Sequence, residues 1–237
     1  MAAHGPTTVA AILVAAGYGQ RLGATVPKAF VEVAGRTLLA RAIATFAASP
    51  AVDQVVVVAP RSHVVQAAEI ARAPVVVGGE TRQASVAAGL AALGPDIEYV
   101  LVHDVARPFV PQHVIDDVIA ALLAGAIAVV PIVSIHDTVR LIGPDGVLDR
   151  VVDRSTLAAI QTPQGFRRDV LDEAHKQAAA GLVATDDAAL VEALGHPVVA
   201  VPGADEAFKI TTAADLARAE AMCLGSGRPP PVTGGSS

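Results

Sequence analysis

Residues 9–28 read VAAILVAAGYGQRLGATVPK. Val9–Val14 is an uncharged apolar run that passes straight into Ala15-Ala16-Gly17, with further glycines at Gly19 and Gly23. A short continuous apolar run bounded by glycine marks a strand buried on both faces. Such a strand feeding a glycine-rich turn is the opening unit of an α/β domain.

Working outward, β-branched runs alternate with Ala-rich helical stretches. The pattern predicts strands over Gln54–Ala59, Val75–Val77, Tyr99–Val102 and Ile127–Val133, with helices over Leu38–Ala48, Val64–Arg72, Gln83–Leu93 and Val114–Leu123. The expected fold class is therefore α/β: a Rossmann-like, mostly parallel sheet flanked by helices. The alternation breaks at residues 136–153, where two short segments flank Gly143-Pro144-Asp145-Gly146. That is turn chemistry between two hairpin strands. An isolated hairpin is marginal in water, so this projecting β-hairpin arm is expected to embrace a second subunit and serve dimerisation. Beyond it we expect a return strand over Leu157–Ile160, helices over Arg168–Ala180 and Ala188–Leu194, a strand over Val198–Val201 and a closing helix over Ala213–Cys223. The expected organisation is one domain over residues 1–224, then a Gly/Ser/Pro-rich disordered tail over residues 225–237.

Composition narrows the function classes. With 53% hydrophobic and 17% charged residues the 237-residue chain is no disordered protein. Its formal net charge of -6 gives no cationic surface for nucleic acid. The apolar run Val118–Ile135 approaches membrane-spanning length, but Gly125 and Pro131 interrupt it, and Asp116 and Asp117 precede it. It reads as an amphipathic helix, a Gly stop and a buried strand ending at Pro131. No secretion signal opens the sequence, and Cys223, the single cysteine, has no internal disulfide partner. A cytoplasmic protein acting neither on a membrane nor on nucleic acid is expected.

Three strand-to-helix loops carry the chemistry. The first holds Gly17, Arg21 and, after Pro27, Lys28; glycines let backbone N–H groups approach an anion while the two cations add charge. It is neither a Walker loop, which needs Gly-Lys-Ser/Thr, nor a dinucleotide fingerprint, since the spacing is G-x-G-x-x-x-G and the second strand runs into Ala59-Pro60-Arg61. The second is Gly78-Gly79-Glu80-Thr81-Arg82-Gln83-Ala84-Ser85, flat enough for a planar ligand. The third is His103-Asp104-Val105-Ala106-Arg107-Pro108, at the carboxyl end of a strand, where ligands of open α/β sheets bind; Asp104 there suits a metal or a hydroxyl, or a structural pair with Arg107. No zinc pattern and no G-x-S-x-G nucleophile is present. Of the 17 Lys and Arg residues, only Lys28, Lys176 and Lys209 are lysines. Arg21, Lys28, Asp104 and Arg107 at one sheet edge point to a polyphosphate with a divalent metal.

In order along the chain, A-A-G-x-G-x-R-L followed by P-K, G-G-x-x-R-x-x-S, H-D-x-A-R-P, D-T-V, V-D-R, Q-T-P-Q-G-F, T-D-D and F-K-I-T lie within residues 15–212. The chain thereby resembles the 2-C-methyl-D-erythritol 4-phosphate cytidylyltransferases of the non-mevalonate isoprenoid pathway. The resemblance implies transfer of CMP from CTP to methylerythritol phosphate, with Mg²⁺, by a homodimer. It implies that Ala15, Ala16, Gly17, Gly79, Glu80 and Ser85 hold the cytidine, Arg21 and Lys28 the triphosphate, and Asp104 the ribose or metal. Arg107, Thr138, Arg154, Thr162, Thr185 and Lys209 would surround the acceptor, with Arg21, Lys28, Arg154 and Lys209 catalytic and Thr138 and Arg154 serving the neighbouring subunit. Ribitol 5-phosphate cytidylyltransferases share the loop, Q-T-P-Q and K-I-T, and are the alternative; a non-catalytic nucleotide-binding module need not retain the whole acceptor site. Two positions depart from the family: Val14 replaces a usual Pro, and Val105 replaces Ala, where it is expected to narrow the acceptor pocket or alter the packing behind it.

Overall fold

Strand β1 (Val9–Val14) leads toward a small hairpin, β2 (Glu32–Val33) and β3 (Arg36–Thr37), and helix α1 (Leu38–Ala47). Two strand–helix units follow, β4 (Gln54–Ala59) with α2 (Val64–Ala71) and β5 (Val75–Val77) with α3 (Arg82–Ala91). Then come β6 (Tyr99–Asp104), α4 (Gln112–Leu123) and β7 (Ala128–Ser134), the arm strands β8 (Val139–Ile142) and β9 (Leu148–Val152), and β10 (Ala158–Ile160). The chain closes through β11 (Gln164–Arg167), α5 (Arg168–Ala179), α6 (Asp187–Ala193), β12 (Val198–Pro202) and α7 (Ala213–Gly225). This computed structural model describes residues 7–17, 22, 26–181 and 184–225.

The main sheet runs β10-β7-β11-β6-β1-β4-β5, with β12 also paired to β7. β4 and β6 flank β1 in parallel, β5 continues in parallel beside β4, and β12 is parallel to β7. β10 and β11 run antiparallel. The sheet is therefore mostly parallel, and its winding reverses at the β1/β6 boundary. Outside the carboxyl ends of two such strands lies the crevice where doubly wound sheets bind ligands.

Side-chain alternation along β1 sorts the core into two layers. Val9, Ala11 and Leu13 pack with Leu38, Leu39 and Phe46 of α1 and Val114, Ile115 and Leu122 of α4. Ala10 and Ile12 pack on the other face with Val86 and Leu90 of α3, Leu171 and Ala174 of α5, and Leu190 and Val191 of α6. Helix starts are set by short polar side chains: Thr37, Thr81 and Asp186 accept the backbone N–H groups of Ala40, Ala84 and Ala189. α3 lies close on the sheet because Gly89 has no Cβ; one would stand 2.6 Å from Ile12 Cγ2.

Several boundaries differ from expectation. β6 continues through His103 and Asp104 rather than stopping at Val102, because both residues keep register with Leu13 and Val14. β7 does not end at Pro131 but runs on to Ser134. Pro131 lies at the seam between β7's pairing with β11 and its pairing with β10, and its carbonyl accepts from Gln161 N. Its missing N–H is tolerated at such a seam. β11 begins inside Q-T-P-Q-G-F and ends one residue beyond it, where the sequence pattern predicts no strand, and the β2–β3 hairpin is likewise additional. The Val118–Ile135 run divides between α4 and β7, and no helix among the described residues is long and apolar enough to cross a membrane.

The arm pairs only with itself in the described chain. Its turn is closed by Gly143 N donating to Val147 O, with Gly146 at φ 79°. Leu141, Ile142, Val147, Leu148 and Val151 are exposed on it.

Candidate active site

A cavity of about 390 Å³ opens at the carboxyl ends of β1, β5 and β6. Its first wall is Ala15, Ala16 and Gly17, where Ala15 N still bonds Val58 O and so prolongs the sheet. The second wall is Gly79, Glu80, Thr81, Arg82 and Ser85. Gly78 joins the two walls: a Cβ there would stand 2.5 Å from Ala16 Cβ and 2.9 Å from Ser85 Oγ. The walls meet as a narrow slot because neither loop carries bulk at that contact. Lys28, Asp104 and Lys209 add its charged groups, and Val14, Ala29, Val105 and Ala106 complete the lining.

Asp104 is the electrostatic centre. Its Oδ2 accepts from Lys209 Nζ at 2.6 Å, and its Oδ1 accepts from Arg82 Nε at 3.2 Å. Burial alone would favour the neutral acid, but the Arg82 and Lys209 charges outweigh it and hold the carboxyl well below the usual carboxylate range. Arg82 is also shared: burial disfavours its charge, yet Asp187 and Asp104 raise its pKa further above the ordinary arginine value. Its Nη1 donates to Asp187 Oδ2 at 2.6 Å, and Asp187 Oδ1 accepts from His175 Nε2 at 2.9 Å.

Behind Asp104, His103 is fully buried, and its pKa is pushed down to about 4, mainly by burial. The neutral ring has one tautomer that satisfies its neighbours. Nε2–H donates to Arg107 O at 3.2 Å, so Nδ1 accepts from the Thr162 hydroxyl at 3.1 Å. Thr162 Oγ1 in turn accepts from Asp104 N at 3.1 Å. Phe46 packs against the ring with centroids 4.8 Å apart.

The residues singled out in the sequence divide into groups. Ala15, Ala16, Gly17, Lys28, Gly79, Glu80, Ser85, Asp104 and Lys209 all line the cavity. Ser85 Oγ donates to Thr81 O at 2.9 Å, within its own helix turn. Arg107 lies outside the lining; its guanidinium donates to Ala207 O at 2.8 Å and Ile160 O at 3.2 Å, and it forms no ion pair with Asp104. Thr162 is buried behind Asp104, and Thr185 is exposed just before α6, outside the lining. Thr138 and Arg154 are exposed at the base of the arm, where Arg154 donates to His136 O. Arg21 lies outside the described residues. Val105 is 1% exposed and belongs to a core cluster, yet it also lines the cavity beside Asp104, so its β-branched side chain packs into the core and forms part of the cavity wall. Arg82, Asp187 and His175 had not been singled out. Arg82 stood inside G-G-x-x-R-x-x-S and Asp187 inside T-D-D, but only folding places them beside Asp104.

No group of three or more His, Cys, Asp or Glu side chains gathers among the described residues to cage a metal. Asp104 and Glu80 are the acidic residues of the lining. Each Asp104 oxygen has one cationic donor and thus a second acceptor site to offer. That donor set fits Mg²⁺, which commonly takes one or two carboxylates plus substrate phosphates and water.

Residues 9–224 match the family described as IspD, 2-C-methyl-D-erythritol 4-phosphate cytidylyltransferase. The chain belongs to that family. It is 48% identical over 216 residues to the 2-C-methyl-D-erythritol 4-phosphate cytidylyltransferase of Frankia casuarinae, covering 90% of this chain and 80% of that one. To the 2-C-methyl-D-erythritol 4-phosphate cytidylyltransferase of Saccharopolyspora erythraea it is 49% identical over 223 residues, 91% of this chain and 99% of the other. Among solved structures, the Thermus thermophilus cytidylyltransferase is 41% identical with a TM-score of 0.76, covering 90% and 98% of the two chains. The 4-diphosphocytidyl-2C-methyl-D-erythritol synthase of Anaerococcus prevotii is 30% identical with a TM-score of 0.83, covering 92% and 96%. The enzyme is thus a cytidylyltransferase of isoprenoid precursor biosynthesis: it moves CMP from CTP to 2-C-methyl-D-erythritol 4-phosphate, giving 4-diphosphocytidyl-2-C-methyl-D-erythritol and pyrophosphate.

Proposed function

We propose that the cavity seats CTP with its base in the Ala16–Gly78–Ser85 slot and its ribose toward Asp104. The reading is supported above all by a single chain's cavity lined by both Lys28 and Lys209 around one ionised carboxylate. Arg21 and Lys28 are assigned to the triphosphate, and Ala15, Ala16, Gly17, Gly79, Glu80 and Ser85 to the cytidine. Thr162 and Arg107 act here as props for Asp104 and for the Lys209 segment, while Thr185 and Lys209 face the acceptor. Thr138 and Arg154 of one protomer are assigned to the acceptor in its partner, so the active unit is a homodimer. Cytoplasmic location completes the reading.

The acceptor phosphate is already anionic near neutral pH, so its oxygen needs no general base to attack the α-phosphorus. The obstacle is repulsion between two anions and the departure of pyrophosphate. Positioning and electrostatic stabilisation therefore dominate. Lys28 meets charge on the phosphoryl oxygens; Lys209, braced by Asp104, orients the acceptor anion as a compact point charge. Mg²⁺, held by Asp104 with the phosphates, would neutralise charge on the triphosphate.

Removing one preorganised charge of this kind costs about 10²–10³ in turnover. Lys28→Ala is expected to lose that much CTP-dependent pyrophosphate release while keeping the wild-type melting temperature. Retained turnover would remove Lys28 from this role. A metal titration of the same assay, Mg²⁺ against Mn²⁺ and Ca²⁺, checks the cation.

A further inference from the structure

Three helices on one face of the sheet meet at a carboxylate that the proposed chemistry does not use. Asp187 opens α6, Arg82 opens α3 and His175 lies on α5. Asp187 is 0% exposed, and its two oxygens are divided between Arg82 Nη1 and His175 Nε2. Arg82 then spends its Nε on Asp104. The result is an unbroken chain from the core to the cavity: His175, Asp187, Arg82, Asp104, Lys209. A buried ion pair is a weak source of stability, since well-packed apolar replacements are often as stable or more so. Stability is thus a poor account of Asp187, whereas geometry is a good one. A guanidinium is a rigid planar fork, so fixing its Nη1 on one carboxylate determines where its Nε presents to another.

We propose that Asp187 is a positioning residue which, oriented by His175, sets the plane of Arg82 and thereby the aim of Asp104 toward the nucleotide. The inference rests on the reading of Asp104 as a CTP-side group. Gln161 and Arg107 hold the segment that leads to Lys209 through Ala204 and Ala207, so the Lys209 side of the carboxylate has supports of its own and Asp187 is assigned the Arg82 side.

The test is steady-state kinetics on the full-length enzyme. Asp187→Asn keeps the shape and removes the charge. It is expected to raise the KM for CTP roughly tenfold, the scale of one lost hydrogen bond to a charged group, with the KM for methylerythritol phosphate and kcat changed less than about threefold. His175→Leu should follow it. His175→Gln, whose amide N–H can reach Asp187, should restore the CTP KM. A purely structural role would instead lower kcat through loss of active enzyme, leave both KM values alike, and make Gln no better than Leu; that pattern overturns the proposal. Should Asp187→Asn fail to fold, Arg82→Lys, which can serve one carboxylate but not both, must raise the CTP KM at least fivefold or the proposal falls. Asp104→Asn separates the two readings. If its CTP KM is unchanged, the assignment of Asp104 fails and takes the inference with it; if it rises while the Asp187 and Arg82 variants stay at wild type, only the inference fails.

Discussion

At the cavity edge, the two carboxylates and one hydroxyl that define the site are satisfied within one chain: both oxygens of Asp104, both of Asp187 and the hydroxyl of Thr162 have partners contributed by distant segments. The arm is built the other way. Its strands pair only with each other, its apolar side chains Ile142, Val147, Leu148 and Val151 stand in solvent, and Arg154 at its base reaches only as far as His136 O. The cavity edge therefore holds its geometry before any partner arrives. The arm holds apolar surface that a single chain leaves uncovered, which on a folded monomer marks an interaction site. The comparison teaches that a site can be electrostatically complete in one chain and still lack the acceptor groups assigned to it.

Mixing variants is the strongest way to break that comparison. Lys28→Ala and Arg154→Ala are each expected to fall about 10²–10³ in rate at limiting acceptor, as for loss of a preorganised charge. If Arg154 serves the neighbour's cavity, co-refolding the two gives heterodimers with one intact site. Activity should then recover to about a quarter of wild type for a C2 dimer with random pairing. If each cavity is served by its own arm, the mixture recovers nothing.

A smaller effect is expected from the arm surface itself. Ile142→Asp with Leu148→Asp places charge where burial of each apolar side chain would contribute about 1.5–3 kcal/mol. The dimer dissociation constant, measured by sedimentation equilibrium, should rise at least tenfold, while the melting temperature of the isolated protomer stays unchanged. An unaltered constant would remove the arm from the proposed dimer interface.

The two regions were not equally legible in the sequence. β1, β4 and β5 announced themselves at both ends, because each is almost wholly Val, Ile, Leu and Ala, buried along β1 and most of β4 and half-buried along β5. The arm was also readable, from its turn chemistry. β11 was not: its four residues, QGFR, have no apolar period, and Gln164 is buried only because its amide finds Asp186 and Ala188 N. Within the site, loop membership was visible in Gly17, Gly79, Asp104 and Lys209. The pairing was not, since Arg82 meets Asp187 and Lys209 meets Asp104 across 105 residues in each case. One sequence gives the members of such a network and leaves out who touches whom; for Arg107 and Thr162 that difference moved the expected acceptor contacts behind the cavity.

The smallest predicted effect asks which region weakens first in acid. The neutral His103 ring has a folded-state pKa of about 4, mainly because it is buried, against an ordinary histidine value of 6.5. As pH falls, the unfolded chain takes up that proton first. The stability tied to the neutral ring is therefore complete above 6.5 and is lost between 6.5 and about 4, at up to about 1.4 kcal/mol per pH unit. Asp104 acts in another window: its pKa is depressed, so its contribution persists above the ordinary Asp value of 3.8 and is lost only below it. Between pH 6.5 and 4, His103 thus governs the cavity edge. Protonating it would turn Nδ1 from acceptor to donor, so the Thr162 hydroxyl proton that now points at the ring would lose its acceptor. Denaturant titrations of the wild type should show the loss in that interval. His103→Asn, which keeps an acceptor for Thr162 but does not titrate, should lack that component of the slope. Equal slopes in the two proteins would move the acid sensitivity away from the ring beneath the cavity.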